Sequence, residues 1–317
     1  MSAFSWPKYP ETDHEFDELM QAIDEYLTGQ GLQPFQRPLM VGRLFWEAFK
    51  WGGQMIPPKA LADCPGFSGD VLMAKANRWY EQTYADKLKM DQAYGHVPVK
   101  IGNAIWRVRF GLTYGQVELF LDRHLENRGA ATGSRGASAS YNVLCAVEEL
   151  PQGMADKLSE PMLDEYFNFY VSTFQSLQWR EALPRTDLLQ SGRADFDQST
   201  ADVMAHRYSQ ARWAAQQAVE KTLKGLLSIG GTEFPRGGAN GHNLTHLGEL
   251  LKAEHGIFVS TAVLDLASCS PRARYGEEPS TEAQALLANH AVLAVLEQLR
   301  SSSKITSLLA LAEERFE

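Results

Sequence analysis

The sequence predicts a mainly helical chain, with an N-terminal α+β domain bearing a small antiparallel sheet and a C-terminal up-and-down helical bundle. Three features predict it. Apolar residues recur at helical spacing through most of the 317 residues, the period switches to two between Val97 and Leu121, and no strand pattern follows Ser199. The length suits two domains at about 100–200 residues each. They are expected at 1–190 and 195–317.

The elements follow in order. Thr12 and Glu15 have capping-box spacing, and Phe16, Leu19, Ile23, Tyr26 and Leu27 then share one helical face up to Gly29. A second helix is expected from Pro38, with Leu39, Val41, Leu44, Phe45, Ala48 and Phe49 as its apolar residues and Gly52-Gly53 as its stop. A third follows Ser68 through Leu72, Ala76, Trp79 and Tyr84. Val97 to Ile101, Trp106 to Tyr114 and Val117 to Leu121 alternate as three strands, with Gly102-Asn103 and Thr113–Gly115 as turns, which predicts an antiparallel meander. Gly129–Ser140 is a Gly/Ala/Ser loop with no Lys-Ser/Thr pair, hence no P-loop. A helix beginning at Ser159-Glu160-Pro161 carries the aromatic stripe Tyr166, Phe167, Tyr170 and Phe174, read as core. Residues 184–198 lack sustained periodicity and are expected to be the linker. Beyond them come one helix from Ser199 to Ser228 and four more, near Leu244, Ser260, Thr281 and Ile305.

Composition narrows the function. Hydrophobic residues at 44% and charged residues at 22% allow a buried core and exclude wholesale disorder. With 30 Lys+Arg against 39 Asp+Glu the net charge is −9, which disfavours a broad basic face for RNA. No run approaches the ~20 apolar residues of a membrane span, so no membrane association is expected. Met1–Glu18 shows no secretory leader, and Cys64, Cys145 and Cys269 lie too far apart for metal spacing. A cytoplasmic protein with free thiols, no metal and no cofactor is the expectation.

Four segments carry a resemblance. Ala211-Arg-Trp-Ala-Ala-Gln-Gln-Ala-Val-Glu-Lys-Thr-Leu-Lys224 leads alanines into a Glu-Lys-x-x-Lys pattern. His242-Asn-Leu-Thr-His-Leu247, Arg272-Ala-Arg-Tyr275 and Thr281-Glu-Ala-Gln-Ala-Leu-Leu-Ala288 follow in order. Together they resemble the HEPN domain over the C-terminal third of the chain. The region before about Ser191 resembles no family. The resemblance implies an up-and-down bundle, frequently dimeric, of one of two types. One type comprises metal-independent ribonucleases; the other comprises non-catalytic members that bind nucleotides or pair with nucleotidyltransferases. The ribonucleases carry Arg followed four to six residues later by His just before the last long helix. Here Arg272 and Arg274 are followed by Gly-Glu-Glu-Pro-Ser at 276–280, so the histidine is missing and no catalytic residue is assigned there.

The first expectation is therefore a non-catalytic HEPN-like module, probing a nucleotide, a phosphate or a partner protein such as a nucleotidyltransferase, and forming a homodimer. Its candidate ligand-binding residues are Lys224, Arg236, His242, Arg272, Arg274 and Tyr275. Glycines after Ile229 would expose backbone amides to a phosphate, the arginines would add charge, and Tyr275 would stack on a base. Two other readings stay open. Arg236 and His242, an Arg-x5-His in the first interhelical connection, would serve a ribonuclease of toxin or phage-defence type. Alternatively the bundle only dimerises an N-terminal sensor or effector. The structural alternative is that Asn240 or His242 caps a helix and that Arg272 and Arg274 pair with Glu277 or Glu278. Arg107 and Arg109, on the wet face of a strand, offer themselves to an acidic ligand or to solvent. Asp122–Glu126 reads as a polar element end, and His206 and His290 as helix residues outside any HExxH spacing.

Overall fold

The computed structural model describes residues 8–88, 93–112, 117–127, 139–235, 237–274 and 277–316. It falls into two compact units, Met1–Asp91 and Gln92–Glu317.

The first unit is built on α1 (Asp13–Gly29), α2 (Arg37–Phe49) and α3 (Asp70–Tyr84). The predicted capping box opens α1. The Glu15 amide donates to Thr12 Oγ1 at 3.3 Å and the Thr12 amide donates to Glu15 Oε2 at 3.1 Å. Leu19, Met20, Ile23 and Leu27 of α1 meet Val41 and Phe45 of α2 and Leu72, Met73, Ala76 and Tyr80 of α3. Leu39 was expected among the core residues and is exposed instead. It stands about 200° around the helix from Val41, on the face turned away from the core. At the head of α2 the Arg37 guanidinium is buried against Asp24, donating to both carboxylate oxygens at 3.0 and 3.1 Å and to the Tyr84 hydroxyl at 2.8 Å.

The second unit opens with a hairpin, β1 (Ala93–Ile101) and β2 (Ala104–Gly111), antiparallel with Val97 opposite Val108 and Val99 opposite Trp106. Gly102 takes φ 62° in the two-residue turn, the positive value a tight hairpin of this hand needs. The third strand does not join it. β3 (Val117–Phe120) pairs in parallel with β4 (Ala139–Asn142), so the expected three-stranded antiparallel meander is corrected to two separate two-stranded sheets. The buried Asn142 fixes that choice. Its side-chain oxygen accepts from the Asp122 amide at 3.1 Å, and its NH2 donates to the carbonyls of Asp122 and His124 at 2.9 Å. The expected turn at Thr113–Gly115 and most of the Gly129–Ser140 loop lie outside the described residues.

The short α4 (Gln152–Ala155) leads to α5 (Glu160–Ala182), whose Tyr166 and Tyr170 are core as expected, Tyr170 stacking on Phe110 at 4.8 Å. The bundle then consists of α6 (Asp187–Met204), α7 (Tyr208–Ile229), α8 (Gly238–Gly241), α9 (Leu244–His255), α10 (Thr261–Ala267), α11 (Pro271–Arg274), α12 (Glu282–Arg300) and α13 (Ile305–Phe316).

The segment 184–198 is not a linker. Thr186 caps α6, its hydroxyl accepting from the Leu189 amide, and Leu189, Gly192, Phe196, Ser199, Thr200 and Val203 form the buried face. That face turns on small residues, so its period is hidden when only large apolar side chains are counted. A Cβ at Gly192 would stand 3.2 Å from the Ala218 carbonyl oxygen, which shows how closely α6 and α7 approach. The single helix expected from Ser199 to Ser228 is also broken. His206 adopts φ 59°, and Arg207 turns back to donate through Nε to Asp202 at 2.8 Å. The hairpin packs within the same unit as the bundle: His290 Nε2 donates to the Pro98 carbonyl at 2.7 Å and Lys100 pairs with Glu282 at 3.1 Å. The compact units accordingly part before β1, between Asp91 and Gln92.

Candidate functional site

On α7, four polar residues recur every four positions, Arg212, Gln216, Glu220 and Lys224, and so lie along one stripe of the helix. Each is engaged. Arg212 donates to Ser280 Oγ at 3.1 Å and to the Ser268 carbonyl at 3.3 Å. Gln216 accepts from the Cys269 amide at 2.6 Å and donates to the His242 carbonyl at 3.3 Å, tying the link after α10 to the start of α9. Burial pushes the Cys269 thiol up to about 11, away from thiolate chemistry.

Glu220 is the centre of the cluster. Lys224 Nζ reaches its Oε1 at 2.8 Å, and His242 Nδ1 lies 3.0 Å from its Oε2. Gln217 donates to the same carboxylate at 3.2 Å. The Lys224 and Glu220 side chains are 7% and 5% exposed, whereas His242 is 47% exposed. With a carboxylate as its acceptor, Nδ1 is the donor of this bond, which orients the imidazole ring. Lys224 Nζ also lies 5.9 Å from the centre of the Phe234 ring. Phe234 lines a cavity of about 570 Å³ together with Ser228, Gly231, Thr232 and Glu233. Gly231 holds φ 76° there, and Thr232 Oγ1 meets His255 Nε2 at 2.9 Å.

Of the six residues proposed from sequence, the structure brings together Lys224 and His242. Lys224 is neutralised by Glu220 and withdrawn from solvent, so it offers no free charge to a phosphate. Arg272 stands apart from this cluster's contacts, exposed and paired with Glu277 at 3.2 Å. Arg274 closes α11, and Arg236 and Tyr275 lie outside the described residues. The cap of α9 is Asn243, accepting from the His246 amide at 3.1 Å, not Asn240 or His242. Glu220 and Gln216 were missed. The i, i+4 spacing from Gln216 through Lys224 was their visible signal.

Among the described residues no group of three or more His, Cys, Asp or Glu side chains is placed to hold a metal ion, and no helix is long and apolar enough to cross a membrane. No curated protein and no solved structure matches the chain. Residues 186–302 match the HEPN domain family, and the match begins at the cap of α6 and runs through α12. The second unit of this chain therefore carries a HEPN domain.

Proposed function

We propose that the HEPN domain is a non-catalytic nucleotide-binding module, with the base on Phe234 and the sugar-phosphate facing His242. The observation that carries this reading is the Glu220 clamp. It holds His242 Nδ1 3.0 Å from a buried carboxylate whose other partner, Lys224, lies 5.9 Å from the cavity-lining Phe234 ring, while no histidine stands four to six residues after Arg272 or Arg274. Gly231 leaves the backbone beside Phe234 open to close approach. Arg236 follows Phe234 by two positions and supplies a cation to the same connection. Exposed Leu266 and Leu287, on α10 and α12, are the apolar residues we assign to a homodimer contact.

Thermal unfolding of the full chain with AMP, ATP and GTP tests this. A nucleotide at a hundred times its Kd stabilises by about 2.7 kcal/mol, a readily measured rise in Tm. His242→Ala and Phe234→Ala should each abolish the rise. A wild-type Tm that stays flat with every nucleotide at millimolar concentration overturns the reading.

The Glu220–His242 pair also favours a second reading, a metal-independent ribonuclease. A carboxylate-oriented imidazole is suited to take the proton from a ribose 2′-hydroxyl, with Arg236 steadying the phosphate. It predicts RNA fragments ending in 2′,3′-cyclic phosphate. Cleavage that persists undiminished in His242→Ala sinks it.

A further inference from the structure

The second unit holds another cavity, of about 370 Å³, walled by His96 of β1, Arg107 of β2 and Asp197, Thr200, Ala201, Met204 and Ala205 of α6. Its size falls in the lower part of the small-molecule range of about 300–1,000 Å³. None of these residues belongs to the His242 cluster.

The charges are laid out by element. The hairpin supplies Arg107 and His96, both backed by Glu148, which accepts from Arg107 Nε and faces His96 Nε2 at 3.4 Å. The helix supplies Asp197, whose Oδ1 lies 3.8 Å from Arg180 Nη1. Arg180 is itself almost wholly buried, with Phe196 stacked on its guanidinium at 5.4 Å and its Nη2 donating to the Tyr94 carbonyl at 2.6 Å. Its Nε and Nη1 are enclosed without a hydrogen bond, so Asp197 is held by a charge at a distance and not by a closed pair. Gly95 makes the room. It takes φ 153° at the irregularity in the β1–β2 register, and a Cβ there would stand 3.4 Å from Arg180 Nη2. Thr200 donates to the His96 carbonyl at 3.1 Å and locks strand to helix. Ala201, Met204 and Ala205 give the remaining wall an apolar surface.

Arg180 also pairs with Glu181 at 3.1 Å, and Glu181 with Arg193 at 3.3 Å. With Arg107, Arg180 and Arg193 set against Glu148, Asp197 and Glu181, the fixed charges sum to zero but are separated in space. A polyanion would meet Glu148 and Asp197, and a simple cation would meet Arg107. The complementary ligand is neutral overall and carries one charge of each sign. We propose that this cavity binds a small zwitterion of the α-amino-acid class. Its carboxylate lies on Arg107 beside His96, its ammonium on Asp197, and its side chain over Ala201, Met204 and Ala205.

The test is calorimetric titration of the full chain with the free L-α-amino acids, and then with the N-acetyl and methyl ester derivatives of the tightest binder. Saturable binding is expected, weakened by about tenfold or more by either blocking group and by Arg107→Gln or Asp197→Asn, because each removes one charge-assisted contact. Ala201→Leu, which fills the cavity from its apolar side and leaves every charge in place, should also weaken it. Circular dichroism identifies any variant that fails to fold, in which case the blocked derivatives on the wild-type chain decide. Absence of saturable binding by every amino acid at millimolar concentration overturns the proposal. So does binding that either blocked derivative, or the folded charge variants, leave undiminished.

Discussion

Glu220 and Lys224, one helical turn apart on α7, form an ion pair of 2.8 Å from which water is almost wholly excluded. Burying two charges is tolerable only while each has the other, and here the carboxylate also serves His242. The pair therefore couples the stability of the bundle to the geometry of the candidate site.

Breaking it from one side should be costly. Glu220→Ala leaves the Lys224 ammonium buried without its partner, a loss of about 3–5 kcal/mol. The Glu220→Leu, Lys224→Met double variant should recover most of that stability while still releasing His242. Urea denaturation of the single and double variants measures the difference, and a double variant no more stable than the single would contradict the ion-pair account.

The Arg37–Asp24 pair plays the corresponding part in the first unit, with Tyr84 as third member. Asp24→Ala should cost about 3–5 kcal/mol, since it strands a buried guanidinium. Tyr84→Phe removes hydrogen bonds but no charge and should cost about 0.5–1.5 kcal/mol. Equal effects of the two substitutions in chemical denaturation would rule out a charge-dominated network.

Close approach of α6 and α7 should be intolerant of bulk. At Gly225 a Cβ would already stand 2.7 Å from Leu189 Cδ2, and at Gly192 3.2 Å from a backbone oxygen that cannot yield. Gly192→Leu should destabilise by about 1–3 kcal/mol or more through overpacking. An unchanged Tm in Gly192→Leu would show that the two helices are not in tight contact there.

His290 should make the second unit sensitive to mild acid. Desolvation holds its imidazole below the ordinary 6.5, offset in part by the bond to the Pro98 carbonyl. The unfolded chain therefore takes up this proton at a higher pH than the folded chain. Stability from this group is complete above about 6.5 and is lost as the pH falls below it. His290→Gln, which retains a donor for Pro98, should flatten the slope between about pH 7.5 and pH 5.5 relative to wild type. Parallel slopes in urea midpoints for the two proteins would dismiss His290 as the source.

Local signals were read correctly where one element carried the whole message. Thr12 with Glu15, Pro161 in the first turn of α5 and Thr281 before α12 each mark a helix start by chemistry confined to a few residues. The alanines of α7 likewise announced a close-packed helix. What escaped was carried by small residues or by distant ones. The buried face of α6 turns on Gly192, Ser199 and Thr200, which add little to an apolar count. The partner of β3 lies beyond a long connection and is chosen by Asn142. Glu220 meets His242 across 22 positions of chain, so neither residue type nor local spacing could reveal that contact. That Glu220 neutralises Lys224 is not legible in the sequence either, because burial of a lysine is a property of the bundle and not of its helix.

The stripe from Arg212 to Lys224 also constrains how α7 is able to vary in length. Each α-helical residue turns the following chain by about 100°, so losing or gaining one residue between Gln216 and Glu220 would swing the clamp away from His242 while Arg212 stayed on Ser280. Side chains along this helix can be exchanged one at a time, but its residue count between those contacts is fixed in a way that the surrounding connections are not.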